Sequence, residues 1–171
     1  MAIMPIRLYP DPVLRETCAP ITTFDDALRT LADDMVETMY AAPGVGLAAP
    51  QVGINQRLAI VDISVGREAD GLHVFVNPKL VETQGAEVDT EGCLSIPELT
   101  EKVRRPATIR VAAHDLDGEP FELEAEGYFA RAICHEMDHL EGVLFVDHLR
   151  GLRRERARRQ LKRLQREAES A

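Results

Sequence analysis

The chain has 171 residues, of which 45% are apolar, and a formal charge of −9; this is about one domain by length, with the composition of a soluble fold rather than a disordered or fibrous chain. Its apolar runs, such as Leu58-Ala59-Ile60-Val61, fall far short of the ~20 residues of a membrane span. Its first ten residues lack the basic and long apolar regions of a secretory signal, so cytoplasmic residence and no membrane are expected.

The charge is unevenly spread. Residues 150–168 carry nine Lys or Arg against two acids, +7, which leaves −16 for the rest of the chain. An acidic body argues against general nucleic-acid binding and specific DNA recognition, whereas the basic block suits contact with a polyanion or, more plainly, a solvated helix face. Cys18, Cys93 and Cys134 cannot all pair, which favours thiol or metal-ligand roles over a disulfide framework.

In chain order, Thr23 and Asp26 resemble a capping pair, and Leu28, Leu31, Met35 and Met39 recur at helical spacing, predicting a helix over 24–41. Pro43 and Gly44 stop it. Gly44-Val45-Gly46-Leu47-Ala48-Ala49-Pro50-Gln51 has two glycines and no periodicity, and is expected to be a loop that brings main-chain amides close to something. Residues 58–63, 73–77 and 80–88 are rich in β-branched or aromatic types and bounded by Gly, Pro or Asn, the pattern of strands. Residues 109–114 and 120–125 flank Asp117-Gly118, which predicts an antiparallel hairpin. A helix is expected from near Gly127 through His139, stopped by Gly142. A terminal helix is expected over 147–169, with Leu149, Leu152, Ala157, Leu161 and Leu164 as a partial stripe. Strands clustered before a central helix predict an α+β fold with mixed or mainly antiparallel sheets around that helix, and a C-terminal helix.

His135-Glu136-Met137-Asp138-His139 carries the chemistry. Two histidines four apart on a helix point the same way and grip one metal, and the glutamate beside them takes a proton from water, the core of metal-assisted amide hydrolysis. Two ligands fall short of a catalytic set, which has three plus an open position. The protease pattern that adds a third histidine after a glycine matches Gly142, but its ligand position is Phe145. Glu155 lies among arginines and is a poor substitute. Cys93, in Glu91-Gly92-Cys93-Leu94-Ser95, offers a thiolate at a glycine-flanked bend, although a buried apolar cysteine is the plain alternative. Cys134 points about 100° away from its neighbour His135 on the helix and, with Cys18, reads as a core thiol.

With these three motifs in this order the sequence resembles the bacterial peptide deformylase family: 44–51 matches the glycine-rich motif, 91–95 the cysteine motif and 135–139 the metal-binding helix. The likeness runs from 9–14 to 142–145 and the terminal helix. The resemblance implies metal-dependent hydrolysis of the formyl group from N-formylmethionyl nascent polypeptides, releasing formate. It implies that Cys93, His135 and His139 bind one divalent metal with a water as fourth ligand, and that Glu136 is general base and proton carrier. Ferrous iron is the metal it implies, although this ligand set also accepts zinc, nickel or cobalt. Gln51 and the main-chain N–H of Leu94 are implied to stabilise the oxyanion, and the main chain near Val45 and Gly46 to pair with an extended substrate. Val45, Leu94 and Tyr128 are candidates for the methionine pocket.

By position, Glu91 is placed to accept the free N–H of a ligating histidine, and Arg105 to neutralise Asp138. Residues 1–149 are expected to form the catalytic unit, with 150–171 as a basic helical extension of the same domain that docks on the ribosome. Pro43, Asp89 and Cys134 depart from residue types common in the family, and none removes a catalytic group.

Overall fold

The computed structural model describes residues 2–170. After a single 3-10 turn at Pro12–Arg15, helix α1 spans Asp26–Ala41. Its cap is Asp25, whose carboxylate accepts from Leu28 N at 3.0 Å; the expected capping residue Thr23 is two positions too early. Strand β1 is Gly46–Ala48, continued by a 3-10 turn at Ala49–Val52. This corrects the expected loop: β1 pairs antiparallel with β2, Leu58–Val61, with Leu47 opposite Ile60. Leu47 and Ala48 are fully buried, so burial of the strand overrides the breaking tendency of Gly46.

Strand β3, His73–Gln84, joins two expected strands through Pro78. The proline is tolerated because the ladder is irregular between Val76 and Lys79, where no donor is needed. Asn77 there has φ 51°, and its amide exchanges two hydrogen bonds of 2.8 Å with the main chain of Ile21. Gly85, at φ 66°, then turns the chain out of this sheet, so the expected run 80–88 is divided between β3 and β4, Glu87–Cys93. Strand β5, Ile96–Arg105, pairs with β4; its charged sequence had given no strand signal. The hairpin of β6, Thr108–His114, and β7, Pro120–Glu126, turns at Asp117-Gly118 as expected.

Helix α2 spans Gly127–Leu140, and Gly142 follows at φ 72° with its Cβ direction blocked by Arg15 O at 2.5 Å. The last helix begins later than expected: Phe145–His148 is a 3-10 turn, and α3 runs Gly151–Ser170. Asp147 is diverted from helix-making, because its carboxylate accepts from Leu144 N and pairs with Arg15 at 2.6 Å. Gly151, the first residue of α3, takes φ 60° as the chain turns into the helix.

Among the described residues the strands form an α+β fold of two antiparallel sheets, one ordered β1-β2-β3-β6-β7 and one made of β4 and β5. Helix α2 lies against β1, β2 and β7, and one apolar cluster joins its Ala130 and Ile133 to Phe75, Ile109 and Val111. Helix α1 covers β1 and β2 through Leu28, Met35 and Met39. Ala157 of α3, with Leu161 and Leu164, packs on a third cluster containing Leu14, Ile96, Val103 and Phe145. Among the described residues no helix is long and apolar enough to cross a membrane.

Candidate metal centre

The helical repeat puts His135 and His139 on one face of α2, with ring centroids 5.0 Å apart. Cys93 reaches them from the end of β4, its Sγ 3.4 Å from His139 Nε2. One donor atom from each of the three lies within 4.8 Å of the others. His135 Nδ1 lies 2.9 Å from Glu91 Oε1; in the neutral ring the carboxylate takes the N–H there, which makes Nε2 the nitrogen that can ligate. Burial opposes a charge on His135, but Glu136, Cys93 and Glu91 outweigh it and hold its pKa well above the usual range, so a cation bound at Nε2 would displace the ring's second proton. His139 is pushed well below that range by burial and by the charges of His135 and Arg105, which keeps its imidazole neutral, the state a ligand needs.

Glu136 is buried beside them, and burial pushes its carboxyl up to about 7. Its environment is enforced by Gly46: a Cβ at that position would lie 2.5 Å from Glu136 Oε2 and 2.9 Å from its Cγ. Gly44 admits Leu94 in the same way, with a Cβ there falling 2.8 Å from Leu94 Cδ1. The glycines of 44–51 therefore mark close side-chain approach to a strand. Gln51, fully buried, is oriented by its neighbours: Oε1 accepts from Ala48 N at 3.0 Å, while Nε2 is directed at Ser95 Oγ, 3.1 Å, and Cys93 Sγ, 3.7 Å. The amide thus presents its donor to the centre.

Behind the ligands lies an ionic network, buried at Glu91, Arg105 and Arg131 and reaching the surface at His148. Arg105 donates from Nε and Nη2 to the two oxygens of Glu91 at 2.7 and 2.9 Å, and from Nη1 to Asp138 at 2.6 Å. Arg131 adds a bond to Glu91 at 2.8 Å, and His148 lies 2.8 Å from Asp138. Burial disfavours the Glu91 charge, but Arg105 and His135 hold its carboxyl well below the ordinary range.

A cavity of about 440 Å³ opens beside the centre, walled by Val45, Gly46, Leu94, Leu99, Tyr128 and Ala132, among others. Tyr128 is half exposed at its rim. All twelve residues singled out from sequence therefore lie in the centre, in the network behind it or in the cavity wall. Phe145 is buried with its ring centroid 6.0 Å from that of His135, and Glu155 is exposed on α3. Cys18 and Cys134 are buried outside the centre, their thiols raised to about 11 by burial.

Sequence reasoning missed Ser95, Arg131 and His148. Arg131 stands one helical turn before His135, a spacing that places it on the ligand face. Ser95 closes the same pentapeptide as Cys93, in the turn between β4 and β5. His148 gave no signal, because its approach to Asp138 depends on the reversal after α2.

The donor set fits a divalent cation: one sulfur and two imidazole nitrogens converge, and the buried Glu136 Oε1 beside them has no hydrogen-bond partner among the described residues. Residues 3–155 match the family model described as Polypeptide deformylase. The chain is 46% identical over 169 residues to a peptide deformylase of Acidobacterium capsulatum, covering 99% of each, and 51% identical over 167 residues to one of Alkalilimnicola ehrlichii, covering 98% of this chain and 93% of the relative. A peptide deformylase crystal structure from Legionella pneumophila superposes with a TM-score of 0.89 at 44% identity, covering 99% of both chains.

Proposed function

The chain belongs to the polypeptide deformylase family, a metal-dependent hydrolase that deformylates nascent polypeptides, and from that premise we propose that Cys93, His135 and His139 hold its metal and Glu136 moves its protons. The observation that carries the reading is the convergence of those three donors within 4.8 Å beside a buried carboxylate. A divalent ion bound there supplies Lewis-acid chemistry, lowering the pKa of water and polarising the formyl carbonyl. Ferrous iron is the expected ion, and zinc, nickel or cobalt suit the same donors.

Glu136 accepts a proton from the attacking water and delivers it to the leaving amine. Its raised pKa favours both duties, since such a carboxyl takes up and releases a proton near neutrality. Gln51 Nε2 and the Leu94 main-chain N–H donate to the oxyanion of the tetrahedral intermediate. The Ala48 N–H that fixes Gln51 Oε1 means the amide need not reorient as charge develops. Glu91 holds His135 in the ligating tautomer, and Arg105 keeps Glu91 ionised while pairing Asp138.

The substrate lies extended along β1, an edge strand of the larger sheet, and pairs with main chain at Val45 and Gly46, which makes binding tolerant of sequence. The methionine side chain enters the cavity among Val45, Leu94 and Tyr128. Residues 1–149 form the catalytic unit, and 150–171 extend it as a basic helix in a cytoplasmic protein. That helix docks on the ribosome, supported by its +7 charge; a form truncated after Gly151 is expected to cosediment with ribosomes more weakly and with a shallower salt dependence. Unchanged binding by a folded truncated form would remove the helix from the contact.

Metal-replete protein mixed with formyl-Met-Ala-Ser is expected to release formate without cutting internal peptide bonds, and Cys93→Ala to lose both metal and turnover. Internal cleavage without formate would point to a peptidase instead.

A further inference from the structure

Cys93 belongs to the two-stranded sheet and the histidines to α2, and β4 and β5 lie outside the five-stranded ladder. The spacing of thiol and imidazoles therefore depends on what ties the hairpin to the helix. The far end of the hairpin is held by Tyr9 N, which donates to Ser95 O at 2.8 Å, and by Gln51 on Ser95 Oγ. On the helix side Arg105 to Asp138 and Glu91 to His135 link side chains, and Arg131 reaches the main chain. Its side chain, 5% exposed, donates from Nη1 to Val103 O at 2.8 Å and Asp89 O at 3.4 Å, and from Nη2 to Glu87 O at 3.0 Å. One guanidinium thus holds main chain of both strands.

The bond from Arg131 to Glu91 is a lesser part of its work. Arg105 already grips both Glu91 oxygens, so that carboxylate keeps its countercharge without Arg131. What Arg131 alone supplies, among the described residues, is donors from an α2 side chain to main-chain carbonyls of the hairpin. Losing them leaves carbonyls of both strands without these donors, and frees the Cys93 strand to shift relative to the helix. Its place one turn before His135 and two before His139 puts ligands and tie on one rigid helical face.

We propose that Arg131 is a positioning residue that sets the Cys93 thiolate against His135 and His139, and so fixes how tightly and with what thiolate contact the divalent ion is held. The inference rests on the ligand set proposed above. The test uses the purified full-length protein titrated with Co²⁺, followed by the thiolate-to-cobalt charge-transfer absorption and by far-ultraviolet circular dichroism. Arg131→Met is expected to bind Co²⁺ about 10–100-fold more weakly, the scale of losses when support behind metal ligands is removed, with a weakened or shifted thiolate band and an unchanged dichroism spectrum. Arg131→Lys keeps the charge without the planar fork; it is expected to lose part of the affinity, and it decides the matter if Arg131→Met does not fold. Folded variants that bind Co²⁺ with wild-type affinity and an identical band would overturn the positioning role. A wild-type protein that binds Co²⁺ without any thiolate band would overturn the ligand set itself, and the inference with it.

Discussion

Replacing Arg105 by leucine removes three charge-assisted hydrogen bonds of 2.6–2.9 Å from two carboxylates. Breaking a buried pair by deleting one partner costs about 3–5 kcal/mol. Glu91 would retain Arg131 and His135, and Asp138 would retain His148, so the lower end, about 3 kcal/mol, is the expected loss. At about 2–4 °C per kcal/mol for a chain of this size, Tm should fall by about 6–12 °C near neutral pH. Because the folded-state pKa of Glu91 lies below its ordinary value, the stabilisation is present above the ordinary carboxylate range and is lost as pH falls through that range toward the folded value. Leucine at 105 raises the folded pKa of Glu91, so the variant has less to lose, and the gap between the two melting curves should narrow on acidification. Thermal unfolding of both proteins over a pH series measures this. A variant that melts within about 2 °C of the parent at neutral pH, or a gap that widens as the pH falls, would refute the electrostatic account.

Three further outcomes follow from the geometry. Gly46→Ala places a methyl 2.5 Å from Glu136 Oε2; displacing the buried carboxylate by about 1 Å should lower kcat by about 10²-fold, read as formate release at saturating formyl peptide with metal content unchanged. Gln51→Ala removes an oxyanion donor and should cost about 10²–10³ in kcat with little change in KM, a split resolved by steady-state kinetics. Asp25→Ala deletes the α1 cap and should destabilise by about 1 kcal/mol, visible in urea unfolding, while leaving formate release intact because Asp25 caps the end of α1 opposite the one bonded to Gly44.

The metal helix was legible because its ligand spacing and its helical period are the same fact: residues four apart share a face, and Gly127 and Gly142 bound the element. The hairpin at Asp117-Gly118 was legible for a similarly local reason. β5 was not, because its buried residues Ile96, Leu99, Val103 and Arg105 are unevenly spaced among Glu98, Glu101, Lys102 and Arg104, so no alternating apolar pattern shows. The segment 44–51 was judged by the turn preference of glycine, whereas Gly44 and Gly46 are there for lack of a side chain against Leu94 and Glu136. That requirement exists only once α2 and the hairpin are packed together. Arg131 escaped notice since an arginine inside a helix ordinarily faces water, and its carbonyl partners are 28 to 44 residues away in the chain.

The most direct measurement is the turnover of Glu136→Ala, loaded with metal beside the wild-type protein and assayed for formate from formyl-Met-Ala-Ser. The roles assigned to the centre require formate from the wild type, almost none from the variant, and one equivalent of metal in both. A variant that retains its metal and releases formate at the wild-type rate would contradict them.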